Sequence, residues 1–158
     1  MLRKTFLIIF ASLLLSTQAF AQRDGFGLGI VLGEPTGISG KFWQTQSTAI
    51  NGAIAWAFGK EDAFHIHADY VFHDFDRFEV DRGSMPFYFG IGGRIASNDV
   101  DDYIGARFPI GIEYILEDNP LHVFFEIVPI FDIIPATDFD MNVGIGIRYF
   151  FGKTRVMR

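Results

Sequence analysis

The last long alternating run of the chain reads Asn142-Val143-Gly144-Ile145-Gly146-Ile147-Arg148-Tyr149-Phe150-Phe151. Its residues repeat with a period of two, which is the period of a β-strand. One face is apolar and ends in aromatic rings, while the other holds Asn142, two glycines and Arg148, with Phe150 as the exception. Glycines and one arginine make a poor surface toward water, but they suit the narrow lumen of a barrel whose exterior touches lipid. The run therefore predicts a membrane-spanning β-strand.

The start of the chain has the layout of an export signal. Arg3 and Lys4 precede an apolar run over residues 6–15, and Ala19-Phe20-Ala21 is a small-x-small cleavage site. The apolar run is too short for a transmembrane helix, although an uncleaved helical anchor remains the alternative. We expect cleavage after Ala21, so that residues 1–21 are a signal peptide and residues 22–158 form the mature domain.

Composition narrows the class of protein. The chain of 158 residues has a one-domain length and a formal net charge of −6, which loss of Arg3 and Lys4 would make more negative. That acidity argues against nucleic acid as a partner. Without cysteine, the chain can form neither a disulfide nor a thiolate metal site. Its 19 Phe, 5 Tyr, 2 Trp and 17 Gly favour β-structure in a membrane.

Eight segments alternate in the same way. Because eight is an even number of strands, the start of the first strand and the end of the last strand lie on the same side of the membrane. Closure of the barrel pairs the strand edges, whose backbone groups could not form hydrogen bonds to lipid. Pro109 and Pro129 each lose one ladder donor and would have to mark bulges. We predict an all-β fold, an eight-stranded antiparallel up-and-down transmembrane β-barrel, with strands over residues 25–32, 38–44, 50–58, 64–72, 87–95, 106–116, 122–131 and 142–151.

The faces opposite the apolar ones carry the predicted interior charges. Four positive and three negative groups nearly balance, and they must pair because an unpaired buried charge costs several kcal/mol. An eight-stranded barrel is only wide enough to be filled by its own side chains. We therefore predict a plugged, salt-bridged interior, with a narrow gated pore for small solutes or ions as the alternative. The predicted network is Lys41, His65, His67, Asp69, Arg94, Arg107, Glu113, Glu126 and Arg148.

The outward faces carry many aromatic side chains. Such residues are typical of the lipid-facing band and interfacial girdles of membrane barrels. The predicted lipid-facing aromatics are Trp56, Tyr70, Phe87, Phe89, Phe108, Tyr114, Tyr149 and Phe151.

Metal and cofactor sites are not predicted. His65, His67 and Asp69 share one strand face, but successive residues on it lie about 6–7 Å apart, so three in a row cannot readily surround one ion. The acidic runs 99–102 and 138–140 lack the glycine and final glutamate of an EF-hand loop. The glycines at 25–29 precede a turn rather than a helix, which disfavours a phosphate-binding loop.

Two other functional classes remain as alternatives. Some small barrels modify lipid A with a serine, a histidine and a carboxylate, but no serine here lies two residues from a histidine on a strand face, and Ser39 is the one predicted to face inward. We therefore predict no enzyme. A soluble lipocalin-like barrel would place its apolar face inside and a polar face in water, whereas the small glycine-rich faces here suit a lumen.

The signal peptide, the eight strands and the ending Gly146-x-x-Tyr149-x-Phe151 resemble the small outer-membrane barrels of Gram-negative bacteria, typified by the OmpA membrane domain. Residues 105–114 and 126–140 are similar to an uncharacterised family of such barrels. The resemblance implies a monomer in outer-membrane lipid, recognised by the barrel-insertion machinery through Gly146, Tyr149 and Phe151. We predict a structural or surface-interaction role. Parity places the long connection 74–84 on the periplasmic side, a departure from the short periplasmic turns usual there.

Overall fold

The computed structural model describes residues 25–34, 36–57 and 63–152, and its regular structure is entirely β. No helix in these residues is long and apolar enough to cross a membrane. The strands are β1 (Phe26–Gly33), β2 (Gly37–Trp43), β3 (Thr48–Ala57), β4 (Ala63–Asp74), β5 (Phe87–Ser97), β6 (Asp102–Arg107), β7 (Ile110–Ile115), β8 (Leu121–Ile134) and β9 (Asp138–Phe151).

The strands close into a ring. Neighbours in sequence pair antiparallel from β1 to β5, β5 pairs with β6 and β7, and both of these pair with β8. Pairing of β8 with β9 and of β9 with β1 completes the circle. Every described strand is hydrogen-bonded on both sides, which is what a membrane barrel requires.

The nine strands occupy eight positions around the ring because β6 and β7 are two halves of one strand. Both halves keep a single register against β5, and from Gly105 onward they also keep a single register against β8. They are separated by Phe108 and Pro109, where the proline lacks an N–H. Backbone bonds still cross the gap, from Gly90 N to Pro109 O and from Phe108 N to Pro129 O, each 3.0 Å. The predicted eight-stranded antiparallel fold is confirmed.

The wall differs from the predictions in its register and in where several strands begin and end. The irregularity in register lies between Ile104 and Gly105 rather than at either proline. The predicted strand bounds at residues 131 and 142 are wrong, since β8 continues to Ile134 and β9 begins at Asp138. Aspartates are common turn residues, but here Asp132 stays in the wall because its carboxylate pairs with a buried arginine inside the barrel.

Away from the mouth, side chains alternate between the two faces of the wall. On β9, Ile145 is 52% exposed on the outside whereas Arg148 is 2% exposed on the inside. Phe150, the exception in the sequence pattern, faces inward and stacks on the His122 ring with centroids 3.8 Å apart. The exterior is therefore apolar and the interior polar, the reverse of a soluble barrel.

The antiparallel order gives the barrel two distinct ends. The base is the end where β1 begins and β9 finishes, and it carries the connections 44–47, 75–86 and 116–120. The mouth is the opposite end, and among the described residues it carries Glu34 and Thr36 and the connections 98–101 and 135–137. The long connection after β4 lies at the base, as parity predicts. Phe75 from this connection packs against the interior cluster that includes Trp43.

Inward glycines make room for large rings that fill the lumen. A Cβ at Gly111 would lie 2.5 Å from Tyr88 Cζ and 2.6 Å from the backbone oxygen of Phe125, and a Cβ at Gly27 would lie 2.5 Å from Phe150 Cζ. Small and large side chains therefore alternate across the interior, as they do in other small barrels.

A single methyl group at Gly111 should test this packing. We expect Gly111→Ala to destabilise the barrel by about 1–3 kcal/mol, because overpacking forces Tyr88 or the backbone to move. Gly93→Ala is the matched control, since Gly93 faces outward and a Cβ there would lie 3.6 Å from the backbone oxygen of Gly105, an ordinary van der Waals contact. Urea unfolding of both variants in detergent measures the difference, and equal stability of the two would contradict the packing.

Candidate functional site: the charged interior

Glu113 on β7 is the centre of the interior near the base. Its carboxylate contacts Lys41 Nζ directly, and it lies 3.1 Å from His122 Nδ1, 3.5 Å from His73 Nε2 and 3.8 Å from Arg148 Nη1. The Glu113 and Lys41 side chains are fully buried. One carboxylate thus neutralises two buried cations, and either cation would destabilise the fold if it were buried without a counter-ion.

Aromatic faces and one hydroxyl complete the surroundings of those cations. Lys41 Nζ lies 4.4 Å from the centroid of Trp43, and the Arg148 guanidinium lies 3.8 Å from the centroid of Phe124. Arg148 Nε also donates to Ser39 Oγ at 2.9 Å. Cation–π contacts of this kind are strongest when desolvated, so the rings compensate where a second carboxylate is missing.

A second pair lies further toward the mouth. Arg107 Nε is 3.0 Å from Asp69 Oδ1 and Arg107 Nη2 is 3.1 Å from Asp69 Oδ2, a two-pronged arrangement that fixes both side chains. Glu126 Oε1 lies 4.0 Å from Arg107 Nη2, and Tyr88 Oη donates to Glu126 Oε2 at 2.8 Å. The tyrosine that fills the space above Gly111 therefore also holds a network carboxylate.

The third pair closes the series at the mouth. Arg94 Nε donates to Asp132 Oδ1 at 3.0 Å, and Arg94 Nη2 lies 3.1 Å from Asp140 Oδ2. Neither aspartate was in the predicted network. Asp132 is 3% exposed and supplies the fourth negative charge, so the four buried cations face four buried carboxylates. If the predicted strand had been extended beyond residue 131, its alternation would have placed Asp132 on the inward face.

All four histidines of the chain lie inside the barrel. His65 Nε2 is 3.1 Å from His67 Nδ1, and His67 Nε2 is 3.8 Å from Asp69 Oδ2. His73 and His122 were missing from the predicted network, His73 because it follows the predicted end of its strand. The described residues contain no group of three or more His, Asp or Glu side chains that could hold a metal ion.

The structure places all nine predicted network residues inside the barrel. Six of the eight predicted lipid-facing aromatics are exposed on the outside: Trp56, Tyr70, Phe89, Phe108, Tyr149 and Phe151. The other two are half-buried. One of these, Tyr114, donates from its hydroxyl to the Arg82 backbone oxygen at 2.9 Å, which ties it to the base connection.

The sequence matches no protein-family model and none of the curated proteins. Among solved structures, the N-terminal β-barrel domain of Pseudomonas aeruginosa OprF superposes with a TM-score of 0.55 at 11% identity, covering 80% of this chain and 96% of that one. Neisserial surface protein A gives 0.49 at 12%, covering 80% and 94%. Ail, the attachment invasion locus protein of Yersinia pestis, gives 0.40 at 13%, also covering 80% and 94%. The likeness to the OprF domain shows that this chain has the fold of a small β-barrel.

Proposed function

We propose that this protein is an integral outer-membrane β-barrel with a plugged, salt-bridged interior and a structural or surface-interaction role. One observation supports the proposal above the others. The wall is apolar on its outside around the whole ring, whereas its buried ion pairs lie within. Water would disfavour such an exterior, and a bilayer favours it.

The proposal for export and insertion rests on one motif near each end of the sequence. The signal peptide over residues 1–21 lies outside the described residues and stays a prediction. The Gly146, Tyr149 and Phe151 motif lies on β9, with the two rings outward near the base and their centroids 5.0 Å apart. We propose that the insertion machinery recognises these residues and that the barrel is a monomer in the membrane.

Fractionation of the cell envelope tests the proposal. We expect the protein in the outer-membrane fraction, soluble only with detergent, and migrating faster on a gel before boiling than after it. Mass spectrometry should find a chain beginning at residue 22. A protein that stays soluble without detergent after export would overturn the membrane assignment, whereas an intact residue 1 would overturn only the cleavage.

A narrow pore is the second candidate, and buried polar atoms favour it. Both polar atoms of the Asn51 amide and Arg107 Nη1 have no hydrogen-bond partner among the described residues. Groups of this kind are commonly solvated by internal water, which would give a hydrated path between the ion pairs. Recording in planar bilayers separates the candidates. The plugged interior predicts no openings above baseline, and discrete openings would favour the pore.

A lipid-modifying enzyme has less support. Ser39 is buried on β2, but its hydroxyl donates to the Gly52 backbone oxygen at 3.5 Å and accepts from Arg148 Nε, so neither of these contacts is with a histidine. A guanidinium cannot take the proton of a serine nucleophile. We therefore propose a non-enzymatic role.

A further inference from the structure

The beginning of β9, at the mouth, has an open side. The hydrogen-bonded contact of β9 with β1 ends where Glu34 N donates to Val143 O at 3.0 Å. Beyond it, no described strand lies beside residues 138–142 on that side, although β8 pairs with them on the other. Because the backbone groups of alternate residues point the same way, those of Phe139 and Met141 face the open side, as those of Val143 face β1. We call residues 138–142 the β9 edge.

The two backbone N–H groups on this open side are occupied by aspartate side chains. Phe139 N donates to Asp138 Oδ1 at 2.9 Å. Met141 N donates to Asp140 Oδ1 at 2.8 Å. The other carboxylate oxygen of Asp140 lies 3.1 Å from Arg94 Nη2, which holds that side chain in place. Each carboxylate therefore takes a hydrogen bond that a neighbouring strand would otherwise take.

The outer face of the hairpin beside the β9 edge is apolar. Its exposed side chains are Phe131, Ile133, Phe139 and Met141, and the rings of Phe131 and Phe139 are 5.2 Å apart. An exposed strand edge with apolar neighbours is a site where chains associate through backbone pairing. A second copy carries the same edge with the same spacing of backbone groups, so it is a self-complementary partner.

We propose that Asp138 and Asp140 prevent the β9 edge from pairing with the β9 edge of a second copy. Each carboxylate occupies an N–H that the incoming strand would need. Their charges add repulsion, because like charges on facing strands destabilise a sheet. The inference rests on the proposed monomer and assigns two residues that maintain it at this surface.

Sedimentation equilibrium of the full-length barrel in a density-matched non-ionic detergent tests the inference. Replacing both Asp138→Ala and Asp140→Ala frees the two N–H groups and removes both charges, while Arg94 keeps Asp132 as its partner. We expect the native barrel to sediment as one copy and the double variant as two copies at the same protein concentration. A double variant that stays monomeric would overturn the inference and leave the proposed monomer standing, whereas a dimeric native barrel would overturn both.

Adding Met141→Pro to the double variant tests whether the contact is made through the edge. Proline has no N–H to donate and its ring occupies the position of the incoming strand, so the triple variant should return to one copy. The matched control is Asp99→Ala with Asp101→Ala, which removes two charges at the mouth without changing β9, and it should stay monomeric. Gel migration before boiling reports whether each variant is folded. A folded triple variant that still dimerises, or a control that dimerises, would overturn the inference. The measurement uses detergent, so its outcome is independent of the proposed membrane location.

Discussion

Glu113→Gln is expected to destabilise the barrel by about 3–5 kcal/mol, the cost of removing one partner from a buried ion pair. The amide keeps the shape of the side chain but removes the negative charge. Lys41, in direct contact with the carboxylate, and Arg148, 3.8 Å away, would then be buried without it. Urea titration of the barrel refolded in phospholipid vesicles measures the free energy of unfolding.

The control for this experiment is Glu117→Gln. The Glu117 side chain is 40% exposed, and its carboxylate lies 4.0 Å from Arg82 Nε at the barrel surface. A surface pair of that kind contributes little, so the change should be within about 0.5 kcal/mol. Combining Glu113→Leu with Lys41→Met removes both charges and should recover part of the lost stability. A loss for Glu113→Gln as small as that for Glu117→Gln would contradict the role of Glu113 as the central carboxylate.

The second large effect is expected on the outer face. Ile145→Arg places a charge midway along β9 on the outside of the wall, where the native side chain is 52% exposed. If this surface touches acyl chains, arginine near the bilayer midplane should cost about 2–4 kcal/mol. The unfolding free energy in vesicles gives the value.

Phe139→Arg provides a matched comparison at another depth. Phe139 is on the same strand, faces outward and is 53% exposed, but it lies beside the mouth. Arginine close to the membrane interface costs only about 0–1 kcal/mol, so the two variants should differ clearly. If both positions faced water instead of lipid, the two arginine variants would have similar unfolding free energies. Equal small effects at both positions would therefore show that the outer face does not lie in lipid.

The faces of the wall could be predicted because they depend on local sequence. A period of two in residues such as Val143, Ile145 and Ile147 fixes which side chains share a face, whatever the strand pairs with. The inward position of Arg107 and Glu113 followed from the same alternation, even though Pro109 interrupts the strand between them. For this reason the sequence predicts the fold class and most of the side chains that face the interior.

The partners inside the barrel could not be predicted in the same way. Lys41 and Glu113 are 72 positions apart in sequence, and they meet because of the stagger between strands around the ring. The residue at which a strand ends also depends on contacts with residues that are distant in sequence. Asp132 remains in β8 because Arg94 faces it across the lumen, and local turn preference gave no sign of this.

Quenching of the two native tryptophans tests the central claim most directly, namely that the apolar exterior contacts acyl chains while the polar interior is shielded from them. Trp43 is inside the barrel and 5% exposed, whereas Trp56 is outside and 47% exposed. Trp43→Phe and Trp56→Phe each leave one reporter, since the chain has two tryptophans. In vesicles of lipids with brominated acyl chains, we expect strong quenching of Trp56 and little of Trp43. Equal quenching of both, or a Trp56 quenched by aqueous iodide and not by brominated lipid, would contradict the account.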